Sequence, residues 1–260
     1  MDRSVLTERH QPVLNALPVM QDMQSTVDEI AYGIYRISTF IPEVSPEGFT
    51  FNQFLVAADE PLLFHTGPRA MFPLVSEAVA KVVPVESLRW ITFGHVESDE
   101  CGSMNMWLRT ASDSQVAHGA LGCDVSLNDM CDRPPRALDE GEVLDLGGKR
   151  VRQISTPHVP HGWEAQVLYE ETTGTLLCGD LLSQTGRGPA ITTDDVVERA
   201  MSAEAMFHAT CLAPQTAQTL RSLGDLEPTT LAIMHGSSFQ GDGKRALYDL
   251  ATGYEQLIAG

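Results

Sequence analysis

Basic residues are scarce in this sequence. Seventeen lysines and arginines stand against thirty-five aspartates and glutamates, a formal charge of −18. Such a surface repels phosphate backbones and anionic lipid, so nucleic-acid and membrane partners are not expected. Long apolar runs are also missing: none reaches the roughly 18 residues needed to cross a bilayer. The opening MDRSVLTERHQPVLNALPVM has no continuous apolar core. It therefore reads as no secretory signal, and the expectation is a soluble cytoplasmic chain. Cysteines are few, and the five present (Cys101, Cys123, Cys131, Cys178 and Cys211) form no CxxC pair and no zinc-finger spacing. A scattered odd set suits a reducing compartment and small core residues. Cys101 stands apart because it directly follows an acidic cluster.

Apolar residues make up 43% of the 260 and charged residues 20%, ordinary values for a globular protein with ample core. No repeat, low-complexity tract or Pro/Gly-rich linker divides the chain. The expectation is one domain over residues 1–260, with about 1–28 as an N-terminal arm, irregular or with a short helix. From Ile30 the segments IAYGIYRI, FTFNQFLVAA, PLLFHTG and LRWITFGH read as strands, and AMFPLVSEAVAKVV as a helix. GEVLDLGGKRVRQISTPH reads as two strands around a Gly-Gly turn, and AQVLYEETTGTLLCGD as a hairpin. Helices are expected over DDVVERAMSAEAMFHATCL, PQTAQTLRSLGDL and GKRALYDLATGYEQLIAG, with a strand at TTLAIMHGS. In SMNMW, Met104, Met106 and Trp107 read as a helix packing face. Hairpins followed by helices, twice over, predict an α/β fold of two packed sheets with helices outside.

The chemistry concentrates in GHVESDECGSMN, where His95, Glu97, Asp99 and Glu100 fall within six residues at the end of a predicted apolar strand. Four such groups are costly to bury unless something positive pairs them, and a metal ion would do so. Imidazole with carboxylates suits iron, manganese or zinc, whereas thiolates would mark a closed structural zinc site. His161 in STPHVPHGWE, Asp180 in LLCGDLLSQTG and His235 in AIMHGSSF also follow predicted strands, where ligands on a rigid scaffold converge. His158 could replace His161, but the 19-residue interval from His161 to Asp180 favours His161 and leaves His158 a supporting place. Trp163 could wall a pocket, though a core position is the better expectation. Asn52 and Gln184 are polar residues near strand ends that could line a site or serve turns.

HVESD, His161, GDLLSQTG and MHGSSF together resemble the metallo-β-lactamase superfamily, and within it the diiron domain of flavodiiron proteins and the oxygen-binding diiron proteins. The hydrolases of that superfamily read HxHxDH and the diiron branch HxExD; here the middle position is Glu97. The resemblance spans roughly residues 30 to 240 and implies a four-layer αββα sandwich. It also implies two metal ions, iron in preference to zinc or manganese, with His95, Glu97 and His161 on one, Asp99 and His235 on the second, and Asp180 bridging. Asp99 and Glu100 are the candidate catalytic groups. Three departures stand out. Glu100 follows Asp99 where the family usually has His, and it could ligate, carry a proton or point away. His65 stands in PLLFHTG where the family usually has Asp, either supporting the site or simply buried. No Gly-rich flavin phosphate loop is present, so no flavin is expected on this chain.

The function this implies is binding, sensing or reduction of dioxygen or nitric oxide, with electrons from a separate redox partner. The alternative is a binuclear metallohydrolase of an ester, lactone, thioester or phosphoester, using metal-activated water. A non-catalytic metal-binding scaffold is a third reading. The partners expected are a small-molecule ligand or substrate and, as in the flavodiiron relatives, a second copy in a homodimer.

Overall fold

Alternation decides the layers. In β3 (Phe49–Val56) every residue is buried, yet Leu55 faces one apolar cluster while Phe54 and Val56 face another. β4 (Leu62–Phe64) divides in the same way, Leu63 one way and Leu62 and Phe64 the other. Since strand side chains alternate between faces, continuous apolar runs like these belong to sheets covered on both sides.

The structure is a computed structural model and describes residues 23–259. The first sheet runs β1 (Thr26–Ala31), β2 (Ile34–Ile41), β3, β4, β5 (Trp90–Thr92), β6 (Gln115–Gly119) and β7 (Arg136–Leu138), in that order. The second holds β8 (Val143–Asp145), β9 (Arg150–Ser155), β10 (Gln166–Glu170), β11 (Thr175–Leu177), β12 (Ile191–Thr192), β13 (Thr230–Ala232) and β14 (Ser238–Gln240). Its spatial order is β12-β14-β13-β11-β10-β9-β8. Helices α1 (Phe72–Val79) and α3 (Met104–Thr110) cover the outer face of the first sheet, where Val75, Val79, Trp107 and Leu108 meet Ile37, Leu55 and Ile91. A one-turn helix, α2 (Ser98–Cys101), lies between them in sequence. Helices α4 (Val197–Phe207), α5 (Thr216–Gly224) and α6 (Gly243–Ala259) cover the second sheet through Ala200, Leu220, Leu223, Leu247 and Leu250. Phe54, Phe64, Trp90, Leu168 and Leu177 fill the space between the sheets. The result is the expected αββα sandwich.

The predicted strands and helices recur with shorter bounds. IAYGIYRI is a hairpin rather than one strand, because Gly33 takes φ 68° and turns the chain between β1 and β2. β1 begins at Thr26, so residues expected as the end of the arm pair with β2 instead; the rest of that expectation, residues 1–22, lies outside the described residues. β6, β7, β12 and β14 had no sequence signal. No helix among the described residues is long and apolar enough to cross a membrane.

Candidate metal centre

Four chain segments meet at one end of the sandwich. β5 runs into His95, and Glu97 is the residue from which α2 starts, with Asp99 one position inside that helix. β9 leads to His161, β11 to Asp180 and β13 to His235. β5, β11 and β13 each pair in parallel with a neighbour, so these strand ends point the same way as their partners'. Residues far apart in sequence thus share one edge.

Two sub-sites share Asp180. On one side, His95 Nε2 lies 2.8 Å from Glu97 Oε2 and 2.9 Å from His161 Nε2. His161 Nε2 is 3.3 Å from Glu97 Oε2 and 3.4 Å from Asp180 Oδ2. Donor atoms of His95, Glu97, His161 and Asp180 all lie within 4.8 Å of one another, a metal-sized group. On the other side, Asp180 Oδ1 is 3.1 Å from His235 Nε2, and Asp99 Oδ2 is 3.5 Å from the same nitrogen. All six residues are therefore brought together, with the two oxygens of Asp180 turned to different histidines.

The rings are held from behind. His235 Nδ1 lies 2.7 Å from the Thr50 carbonyl, and the ring stacks on Phe49 with centroids 4.3 Å apart. The adjoining Gly236 N–H donates to Thr50 Oγ1 at 2.6 Å. Gly236 has φ 112°, and a Cβ there would stand 2.8 Å from Gln184 Cβ, so a side chain is excluded twice over. His95 Nδ1 lies 3.1 Å from Glu100 Oε1, and the His95 backbone N–H donates to Glu100 Oε2 at 2.6 Å. Such contacts set the tautomer and leave Nε2 free for a metal.

The charges fit a cation. Burial works to lower the His95 pKa, but the Glu100 carboxylate, with Glu97 and Asp180, overrides it and raises it to about 11. For His235 burial again pulls down, and Asp180 and Asp99 raise the value to about 10. Contacts with His161, then His95, bring Glu97 down to about 2. Asp180 resists its own burial and is lowered by His235, His95 and His161. Its buried Oδ1 meets His235 Nε2 at 3.1 Å. Three imidazoles and three carboxylates with crowded donor atoms are a set that divalent ions satisfy better than protons do.

A cavity of about 410 Å³ opens onto Glu97, Asp99, His161, Asp180 and His235, with Val44, Phe49 and Phe207 as apolar wall. At its far side Glu204 accepts from Thr210 N at 3.1 Å, and Thr210 Oγ1 is 3.1 Å from the Tyr254 hydroxyl. These wall residues carried no motif. The packing of α4 and α6 against the sandwich brings Phe207, Glu204 and Tyr254 there.

The other candidate residues lie outside this group of six. Glu100 is wholly buried on the Nδ1 side of His95, does not line the cavity, and is not in contact with Asp99's partner His235. His158 is exposed in a turn at φ 65°, its backbone N–H donating to Gly162 O, and it does not support the cluster. Trp163 is neither core nor pocket wall, being 55% exposed. Cys101 is buried, and burial pushes its thiol up to about 12, so it is inert. Asn52 and Gln184 do not line the metal cavity: Asn52 Nδ2 donates to the carbonyls of Ile233 and Gly236, and Gln184 N to that of His235. His65 is buried beside Glu100.

The family model for the ODP family beta lactamases matches residues 49–236. The chain belongs to this family. Among curated relatives, rubredoxin-oxygen oxidoreductase from Megalodesulfovibrio gigas is 23% identical over 209 residues, 76% of this chain and 51% of that protein. Hydroxyacylglutathione hydrolase from Acidiphilium cryptum is 29% identical over 200 residues, 73% of this chain and 69% of that one. A solved flavo di-iron protein variant from Thermotoga maritima superposes with a TM-score of 0.75 at 20% identity, covering 89% of this chain and 60% of the other. This ODP-family chain thus spans about half the length of the first of these relatives.

Proposed function

We propose that the chain holds two iron ions and binds dioxygen or nitric oxide, either sensing the gas or reducing it. The observation that carries this reading is Glu97. Its Oε2 sits between His95 and His161, where it would supply a carboxylate to the first ion. Hard, flexible oxygen donors suit an iron pair that changes oxidation state, while zinc and manganese accept the same set. His95, Glu97 and His161 would hold one ion, Asp99 and His235 the other, and Asp180 would bridge them. The ions, when bound, supply paired one-electron changes and open positions for a diatomic ligand.

The remaining work falls to the chain's own residues. Glu97, Asp99 and Asp180 supply three negative charges against the four of two divalent ions. Asp99 faces the cavity from the side of the second ion. Glu100 acts through His95 as a positioning residue, not on the ligand. Phe49 and Phe207 keep one wall apolar, which suits a neutral gas. Electrons come from a separate redox partner, and a second copy of the chain is a further expected partner. The metallo-β-lactamase-like unit is one domain.

The second reading is a thioester or ester hydrolase. The match to hydroxyacylglutathione hydrolase favours it, and so does the cavity, which is far larger than a diatomic ligand needs. Elemental analysis of protein purified without added metal, followed by anaerobic reduction and exposure to oxygen in a spectrometer, separates the two. About two irons per chain with a visible band on oxygenation supports gas binding. Two zincs, no spectral response and turnover of a thioester would replace it with hydrolysis.

A further inference from the structure

A second cavity, of about 570 Å³, lies between the β1–β2–β3 edge of the first sheet and the segment that leads into β12. Its wall includes Arg36, Arg187, Ser38, Thr26 and Thr50, and no acidic residue lines it among the described residues. In a chain of net charge −18, that lining is set apart from the rest of the surface. Thr26 pairs with Ser38 across β1 and β2, so the polar groups sit side by side on one face with Arg36 two residues away.

Arg36 is 3% exposed, and its guanidinium is incompletely partnered. Nη2 donates to the Gly236 carbonyl at 3.0 Å, but Nε has no hydrogen-bond partner among the described residues. Its one acidic neighbour, Asp28, is 4.0 Å from Nη1, beyond hydrogen-bond reach, and is 40% exposed. Burial lowers the Arg36 pKa to about 10 against the pull of Asp28. Arg187 is exposed and lies over the Phe40 ring, 4.3 Å from its centroid, on the same cavity wall. A buried guanidinium without a full counter-charge is costly, and its planar fork matches the oxygens of phosphate and carboxylate.

We propose that this cavity binds the phosphate or carboxylate group of a small organic anion, between Arg36 and Arg187 and with the hydroxyls of Thr26, Ser38 and Thr50 at hand. The site is separate from the metal cavity but not remote from it. Thr50 and Gly236, which hold His235 and its loop, also touch the anion site or its arginine.

The test is calorimetric titration of the full metal-loaded chain with inorganic phosphate, and in parallel with acetate, at constant ionic strength. One saturable site per chain is expected for at least one probe, and the probe that binds names the group. Arg187→Ala should weaken it at least tenfold, and Arg36→Gln should abolish it. Should Arg36→Gln fail to fold, the exposed Arg187 decides alone. Phosphate could also bind the metals, so the titration is repeated on chelator-treated protein, where binding at the arginines persists. The proposal is overturned by the absence of saturable binding to the full chain, or by binding that disappears with the metals and ignores Arg187→Ala.

Discussion

His65 Nε2 lies 3.5 Å from Glu100 Oε1, with both side chains wholly shut off from solvent. The family resemblance leads one to expect Asp at the first position and His at the second; in this chain the buried imidazole and carboxylate face each other behind His95. Burial holds the His65 pKa down. The Glu100 carboxylate is lowered despite its burial, because His65 and His95 surround it.

Glu100→Gln should therefore weaken metal binding about 10–100-fold, the usual effect of losing a group that orients a metal-bound histidine. The double variant His65→Asp with Glu100→His should recover part of that loss. Metal affinity by competition with a chelator checks both. Additive losses in the double variant would show that the pair does not act as a unit.

Asp180→Ala should leave at most one metal per chain, since both sub-sites lose an oxygen. Metal content by elemental analysis decides this, and two fully occupied metals would remove Asp180 from the bridge. His161→Ala should also lose metal, whereas His158→Ala, in an exposed turn, should keep the full complement.

Metal uptake should release protons. In the metal-free chain His95 and His235 hold theirs up to about pH 11 and 10, against ordinary histidine values near 6.5. Raised folded-state values stabilise the metal-free fold fully below about 6.5, and that contribution is lost as pH rises through 10 to 11. Apparent metal affinity should rise over the same range, because the ions displace those protons. Calorimetry in buffers of different ionisation enthalpy measures the release, and a buffer-independent heat would contradict it.

Trp107→Ala should destabilise the fold by about 3–5 kcal/mol, the range for truncating a large buried aromatic. Trp107 is fully buried on α3, and its Nε1 donates to Ser103 Oγ at 3.1 Å. Denaturant unfolding checks the loss. Metal stoichiometry in the folded fraction should be unchanged, since the residue packs behind the first sheet and not in the metal cavity.

Much of this protein was legible in its residues because local chemistry repeats at a short range. The alternation of Phe54, Leu55 and Val56, the turn at Gly174 between β10 and β11, and the apolar spacing of α6 each need only neighbours to be read. His95, Glu97, Asp99, His161, Asp180 and His235 stood out in the same way, as polar groups placed where strands end. What the sequence could not decide was which way side chains point and what lies across the fold from them. Glu100 is adjacent to Asp99, yet one faces the back of His95 and the other the cavity. Trp163 follows the His161 loop, yet it stands in solvent. The cavity wall of Phe49, Phe207 and Tyr254, and the cavity shared by Arg36 and Arg187, join segments far apart in the chain. Such contacts are set by the packing of helices on sheets and by strand register, and no spacing within one segment carries them.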